Sequence, residues 1–206
     1  MRIGIDFDNT IACYDGVFHA AACERGLIPA NLAADKTSVR DYLRGLGRDT
    51  DFTELQGYVY GPRMDLVSVY PRLLDVLGAA RRAGHELFIV SHKTRRPFVG
   101  PDYDLHHAAR KFLRSQAIVG EGTEPIAADH VFFELTKEEK VARVATLSCN
   151  VFIDDLPELL VMDGFPADMR PILFDPENHY GGNYRGGRTF ERYRSWAEIG
   201  RAVLGR

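Results

Sequence analysis

Two aspartates one residue apart, in the stretch Asp6-Phe7-Asp8-Asn9-Thr10, close a short apolar run near the amino terminus. A second acidic pair, Asp154-Asp155, follows the apolar residues 151–153, and Ser91 ends a third apolar run. A single acid after a strand is commonly a turn or helix cap. Caps have no reason to coincide at several strand ends beside a serine and a nearby lysine. Carboxylates a few ångströms apart cannot all stay ionised without a compensating cation, and leaving them unpaired in a half-buried cleft costs several kcal/mol. Hard oxygen donors favour Mg²⁺, which holds near-octahedral geometry at about 2.0–2.1 Å and keeps waters and substrate phosphate oxygens among its ligands.

These residues can act together only if the chain brings them together. Residues 15–25 carry Val17, Phe18, Ala21 and Ala22 at helical spacing and stop at Gly26. Val39, Tyr42, Leu43 and Leu46 suit a second helix, started by Ser38 and ended by Gly47, and Phe52, Leu55, Tyr58 and Val59 suit a third. Residues 15–68 are therefore expected to form a small helical insert. A helix starting at Pro71 and ending at Gly84 leads into the strand HELFIV, and further strands are expected at 131–133, 150–153 and 170–174. A helix follows from Thr136, and Ser195 with Glu198 caps a last one. Alternating strands and helices imply an α/β fold with a parallel sheet and right-handed crossovers. Ligands bind beyond the carboxyl ends of such strands. Asp6, Asp8, Ser91, Asp154 and Asp155 should then meet at one edge.

A lysine belongs to the same edge. Thr136 and Glu139 form a capping box, which puts Lys137 and Lys140 in the first helical turn or just beyond it. The helix dipole disfavours cations there by roughly 0.3–1 kcal/mol, and a bound anion reverses that sign. Val141, Val144 and Ala145 mark the inward arc, and the helical wheel leaves the choice between the two lysines open.

Composition sets the outer bounds. The chain has 206 residues, enough for one core and an insert, with 45% hydrophobic and 27% charged residues, as in ordinary globular proteins. A formal charge of −3 gives no general attraction for nucleic acid or anionic membranes. No apolar run approaches the roughly 20 residues of a membrane helix, and acids by position six break any signal-peptide core, so a cytoplasmic location is the expectation. Cys13, Cys23 and Cys149 are odd in number and lack metal-type spacing, which favours reduced, mostly buried thiols.

Taken together, Asp6-Phe7-Asp8-Asn9-Thr10, Ser91 after a strand, a lysine opening a later helix, and Phe152-Ile153-Asp154-Asp155 resemble the four motifs of the haloacid dehalogenase (HAD) superfamily, in the correct order. The resemblance covers residues 1–14 and 69 to about 175. It implies a Rossmann-like catalytic core, residues 1–14 and 69–206, with an α-helical cap inserted at 15–68. It also implies Mg²⁺-dependent hydrolysis of a small phosphorylated metabolite, with Asp6 attacking phosphorus and Asp8 serving as proton donor and then base. The metal would be held by Asp6, the Asp8 backbone carbonyl and Asp155, with Asp154 the next choice. Ser91 and a lysine would grip the phosphoryl oxygens, and the family's spacing favours Lys140. Thr10 would support the phosphate site, and His92, beside Ser91, joins the phosphate-binding candidates. Asp8 argues against a dehalogenase, because a halide leaves without protonation. Phosphoryl transfer to another hydroxyl, and action on nucleic-acid ends, are the alternatives.

Other features carry weaker signals. Tyr14, Phe18, Tyr60 and Arg63 could face a substrate, although aromatics at helical spacing more often form core. The cationic run His92-Lys93-Thr94-Arg95-Arg96 could bind a carboxylate or a second phosphate. His106 and His107 lack a metal-binding pattern and read as structural. Residues 179–194, rich in glycine, aromatics and arginine, read as a mobile loop beside the strand ends.

Overall fold

The computed structural model describes residues 1–180 and 189–205. In chain order the strands are β1 (Arg2–Ile5), β2 (Ala12–Cys13), β3 (Ser68–Val69), β4 (Glu86–His92), β5 (Val119–Gly120), β6 (Ile126–Ala127), β7 (Val131–Glu134), β8 (Val151–Asp154), β9 (Arg170–Phe174) and β10 (Glu191–Tyr193). The α-helices are α1 (Val17–Glu24), α2 (Lys36–Gly45), α3 (Asp49–Tyr60), α4 (Leu73–Arg82), α5 (Leu105–Ser115), α6 (Lys137–Thr146), α7 (Pro157–Leu160) and α8 (Trp196–Leu204). Among the described residues, no helix is long and apolar enough to cross a membrane. The chain divides into two compact units, one of residues Met1–Ala12, Val69–Lys93 and Gln116–Arg206, the other of Cys13–Ser68 and Thr94–Ser115.

The first unit is an α/β structure built on a six-stranded sheet of order β10-β9-β8-β1-β4-β7, every pair parallel. Its inner strands β1, β4, β8 and β9 are mostly buried and apolar on both faces, as helices on either side require. Phe88, Val90, Phe152 and Leu173 meet Val141, Val144, Leu159 and Leu160 from α6 and α7 in one buried cluster. Ile3, Ile5, Leu87 and Ile153 line the other face beside Leu77 and Ala80 of α4 and Trp196 and Ile199 of α8. Gly4 on the central strand permits close packing, because a Cβ there would stand 2.7 Å from Cδ2 of Phe152. Residues 179–194 were expected to be a loop, yet 191–193 form the edge strand β10, paired with β9 through Glu191↔Ile172 and Tyr193↔Phe174. The part of that expectation at 181–188 lies outside the described residues.

The second unit is helical. Phe18 stacks on Phe52 at 6.1 Å and meets Tyr60 edge-on at 5.7 Å, while Tyr14 meets Tyr60 at 5.1 Å. Tyr14 and Phe18 are buried, so they form core. Helix α2 starts earlier than Ser38: Asp35 is its cap, accepting 2.7 and 2.6 Å bonds from the Ser38 amide and hydroxyl. The segment Thr94–Ser115, read from sequence as part of the strand-bearing core, groups with these helices instead. Two glycines of α3 and its end explain the approach, since a Cβ at Gly57 would meet Pro97 at 2.7 Å and one at Gly61 would meet Tyr103 at 3.0 Å.

Candidate active site

The registers of three neighbouring strands set the site. Ile5 lies level with both Ile89 on β4 and Ile153 on β8, so Asp6 follows β1 alongside Asp154 at the end of β8. The Asp6 amide continues the ladder by donating to the Ile153 carbonyl at 2.9 Å. The chain then turns tightly. The Ile11 and Ala12 amides both donate to the Phe7 carbonyl, at 3.0 and 2.9 Å, and Asn9 takes a left-handed backbone with φ 56°. Asparagine tolerates that conformation better than most residues. Trp196 Nε1 donates to the Thr10 carbonyl at 3.0 Å and ties the turn to α8. Thr10 Oγ1 is buried with no hydrogen-bond partner among the described residues.

The capping box predicted at Thr136 is present, with the Glu139 carboxylate accepting from the Thr136 amide at 3.1 Å. It aims Lys140 into the sheet edge. The Lys140 ammonium donates to Asp6 Oδ1 at 2.5 Å and to Asp154 Oδ2 at 2.6 Å, and all three side chains are almost fully buried. Lys137 instead pairs with Glu158 at 3.3 Å on the surface. Asp154 Oδ1 also accepts from the Leu156 amide at 3.0 Å. Asp155 Oδ2 accepts a longer 3.3 Å bond from Asn9. Oxygens of Asp6, Asp154 and Asp155 lie within 4.8 Å of one another. Ser91, at the end of β4, is buried, whereas its neighbour His92 is exposed.

Sequence reasoning left Lys93 in a cationic run awaiting a ligand. The structure divides that run: Arg95 pairs with Asp104 and Arg96 with Asp102 inside the helical unit, while Lys93, 4% exposed, donates to both oxygens of Asp8 at 3.1 and 2.9 Å. Strand alternation carried the signal, since Lys93 is two residues from buried Ser91 and so shares its side.

The electrostatics follow from burial. Burial pushes the Asp6 carboxyl up to about 7, with Lys140 opposing the rise and Asp154 adding to it. Burial also raises Asp155 well above the usual carboxylate range, helped by Asp154 and Asp6. For Lys140, burial alone would lower the pKa, but Asp154 and Asp6 together outweigh it and hold the ammonium above the ordinary lysine range. Four acids, Asp6, Asp8, Asp154 and Asp155, thus face two lysines. Fully ionised, the set has a surplus of two negative charges, which is the charge of one divalent cation. The donors are hard carboxylate oxygens on adjoining elements, so the residues present fit an Mg²⁺ ion.

Sequence comparison finds neither a matching protein-family model nor a curated relative. Solved structures do match, across almost the whole chain. A HAD family hydrolase from Deinococcus radiodurans, solved with phosphate and sodium bound, is 17% identical with a TM-score of 0.59, over 99% of this chain and 95% of that one. Protein tyrosine kinase A of Mycobacterium tuberculosis is 16% identical with a TM-score of 0.62, over 100% and 98%. A HAD-superfamily hydrolase from Ehrlichia chaffeensis is 12% identical with a TM-score of 0.55, over 99% and 96%. The chain has the haloacid dehalogenase fold. Within that fold, the four stretches singled out in the sequence all fall in one compact unit, with Asp6 and Asp154 bridged by Lys140 at the sheet edge.

Proposed function

We propose that the protein is an Mg²⁺-dependent phosphatase that hydrolyses a small phosphorylated metabolite through a phosphoryl group carried on Asp6. The observation that supports this most is the Lys140 ammonium shared between Asp6 and Asp154, within a cluster where carboxylates of Asp6, Asp154 and Asp155 converge. Such a cluster could receive an anionic electrophile only together with a cation that offsets the surplus acid charge. Asp6 would attack phosphorus, forming an O–P bond as the P–O bond to the leaving alcohol breaks. Asp8 would give its proton to the departing oxygen, then take one from the water that cleaves the Asp6–phosphoryl bond. Lys140 would screen the nucleophile from the phosphoryl charge, and Ser91 and Thr10 would support the phosphoryl oxygens; exposed His92 is the peripheral member of that group. Asp6, Asp155 and the Asp8 carbonyl would hold Mg²⁺, whose contribution is to neutralise the surplus acid charge and polarise the phosphoryl oxygens. Asp154, with both oxygens already bonded, supports this set from behind. The helical insert, residues 15–68, would act as the cap that excludes water from the covalent step.

The test is a metabolite panel assayed for released phosphate with and without Mg²⁺, beside Asp6→Asn. The variant should stay folded and lose turnover. Activity that survives Asp6→Asn removes the nucleophile, and wild-type activity that survives thorough chelation removes the metal. The kinase among the fold neighbours gives phosphoryl transfer a place as second reading. Product analysis separates the two, because transfer yields a new phosphate ester in place of inorganic phosphate. Competition by oligonucleotides with steep salt dependence would point to nucleic-acid ends.

A further inference from the structure

Lys93 is a buried cation in a place where the proposed reaction has no assigned use for one. Its side chain is 4% exposed, and its ammonium donates to Asp8 Oδ2 at 2.9 Å and Oδ1 at 3.1 Å. The ammonium also lies 5.2 Å from the centre of the Phe7 ring, on the attractive face of that π-system. Its backbone is fixed as well, because the Lys93 amide donates to the Glu134 carbonyl at 2.8 Å and so extends the β4–β7 pairing by one residue. Asp8 is joined to a strand only through a lone bridge to Ala12 of β2. It lies in the turn after β1, where its side chain remains 24% exposed. A rigid cation therefore holds a carboxyl group borne on a turn.

We propose that Lys93 is the positioning residue for Asp8, holding its carboxyl group in the orientation for proton transfer to the leaving group. This rests on the phosphatase reading above. When Asp8 carries its proton, one carboxyl oxygen bears it and the other still accepts from Lys93, so the O–H points away from the ammonium. As the Asp6–phosphorus bond forms and the P–O bond breaks, that proton passes to the leaving alkoxide and negative charge appears on Asp8. Both Asp8 oxygens then face an ammonium at hydrogen-bond distance, and the charge is met without reorganisation. The proton returns to Asp8 from the attacking water in the second step, so the cycle balances.

This role makes a prediction that a purely structural lysine does not. Proton donation matters for a poor leaving group, such as an alkoxide, and hardly at all for 4-nitrophenolate. The experiment measures kcat/KM, which covers the steps up to phosphorylated Asp6, for a series from alkyl phosphates to 4-nitrophenyl phosphate. Lys93→Met should lower it on alkyl phosphates by about 100-fold, the scale of general acid catalysis, and on 4-nitrophenyl phosphate by no more than about threefold, if only donation is impaired. In an Asp8→Asn background, Lys93→Met should add less than about a twofold loss, because its effect passes through Asp8. Lys93→Arg keeps the cation with altered reach and should show a smaller loss of the same selectivity; it carries the test if Lys93→Met does not fold. A loss uniform across leaving groups, or one that persists in full beside Asp8→Asn, overturns the positioning role while leaving the phosphatase reading intact. A folded wild type inert towards the whole series overturns both.

Discussion

Replacing Lys140 by methionine is the most direct perturbation of the charge arrangement. Methionine keeps most of the volume and removes the ammonium that touches Asp6 at 2.5 Å and Asp154 at 2.6 Å. Both acids are almost wholly withdrawn from solvent, so water cannot take over. Breaking a buried ion pair by deleting one partner costs about 3–5 kcal/mol. At about 2–4 °C per kcal/mol for a chain of this size, the melting temperature should fall by about 6–20 °C. The loss should depend on pH in a definite direction. The folded-state pKa of Asp6 already stands at about 7, above the 3.8 of a free carboxyl, and Lys140 is the main influence pulling it down. A group whose pKa rises on folding contributes stability that is fully present below the unfolded value and is lost as pH rises through the folded one. Without Lys140 the folded value climbs further, so the deficit should be largest near pH 8 and smallest near pH 5, where Asp6 is neutral. Thermal and urea unfolding at the two pH values, with and without Mg²⁺, measure this directly. A variant within about 2 °C of wild type at pH 8, or one that suffers more at pH 5, would refute the buried charge cluster.

Three further predictions concern the support of the site. Burial pushes the Cys149 thiol from 9.0 up to about 11, so about 2–3 kcal/mol of stability, intact below pH 9, should be lost as pH rises to 11. Cys149→Ala should narrow its stability gap to wild type over that window, as alkaline urea titrations would reveal. Gly4→Ala drives a Cβ to 2.7 Å from Phe152 and 3.2 Å from Cys149 Sγ, and should cost about 1–3 kcal/mol in urea unfolding; an unchanged midpoint contradicts the packing. Trp196→Phe leaves the buried Thr10 carbonyl without its donor, at about 1–3 kcal/mol. It should also lower kcat more than KM changes, since the turn that carries Asp8 loosens; steady-state kinetics with equal effects on both would count against this.

The parts legible in the sequence were those governed by short-range rules. Apolar runs located the ends of β1, β4 and β8, and parallel pairing then had to bring Asp6, Ser91 and Asp154 to one edge. The capping box at Thr136 fixed where α6 begins and the helical wheel left two lysines open; the family resemblance favoured Lys140, which turns inward to the acids while Lys137 reaches Glu158. Strand β10 escaped because three residues, Glu-Arg-Tyr, carry no apolar period; an edge strand needs only backbone pairing. The grouping of 94–115 with the helices escaped because it depends on what Gly57 and Gly61 leave unfilled, a signal visible only once a partner is known. Lys93 was readable in principle. Its run looked like a solvated or ligand-seeking cluster because charge was weighed without the two-residue alternation that places Lys93 with Ser91.

The two lysines divide the two acids of the first motif between opposite neighbours of β1. Asp154 ends β8 on one side and shares Lys140 with Asp6. Lys93 follows β4 on the other side and holds Asp8. Carboxyl groups this near in sequence, left to themselves in a cleft, tend to share one proton and titrate as a pair. Such sharing would hinder the proposed reaction, which needs Asp6 bare at the moment Asp8 still holds a proton to give. Separate cations, anchored on different strands, give each carboxyl group its own partner: Asp6 meets Lys140, which offsets part of the rise that burial imposes on it, and Asp8 meets Lys93 nearer solvent. In the proposed reaction, the placing of nucleophile and proton donor would therefore depend on which neighbouring strand supplies each aspartate's partner as well as on the aspartates themselves.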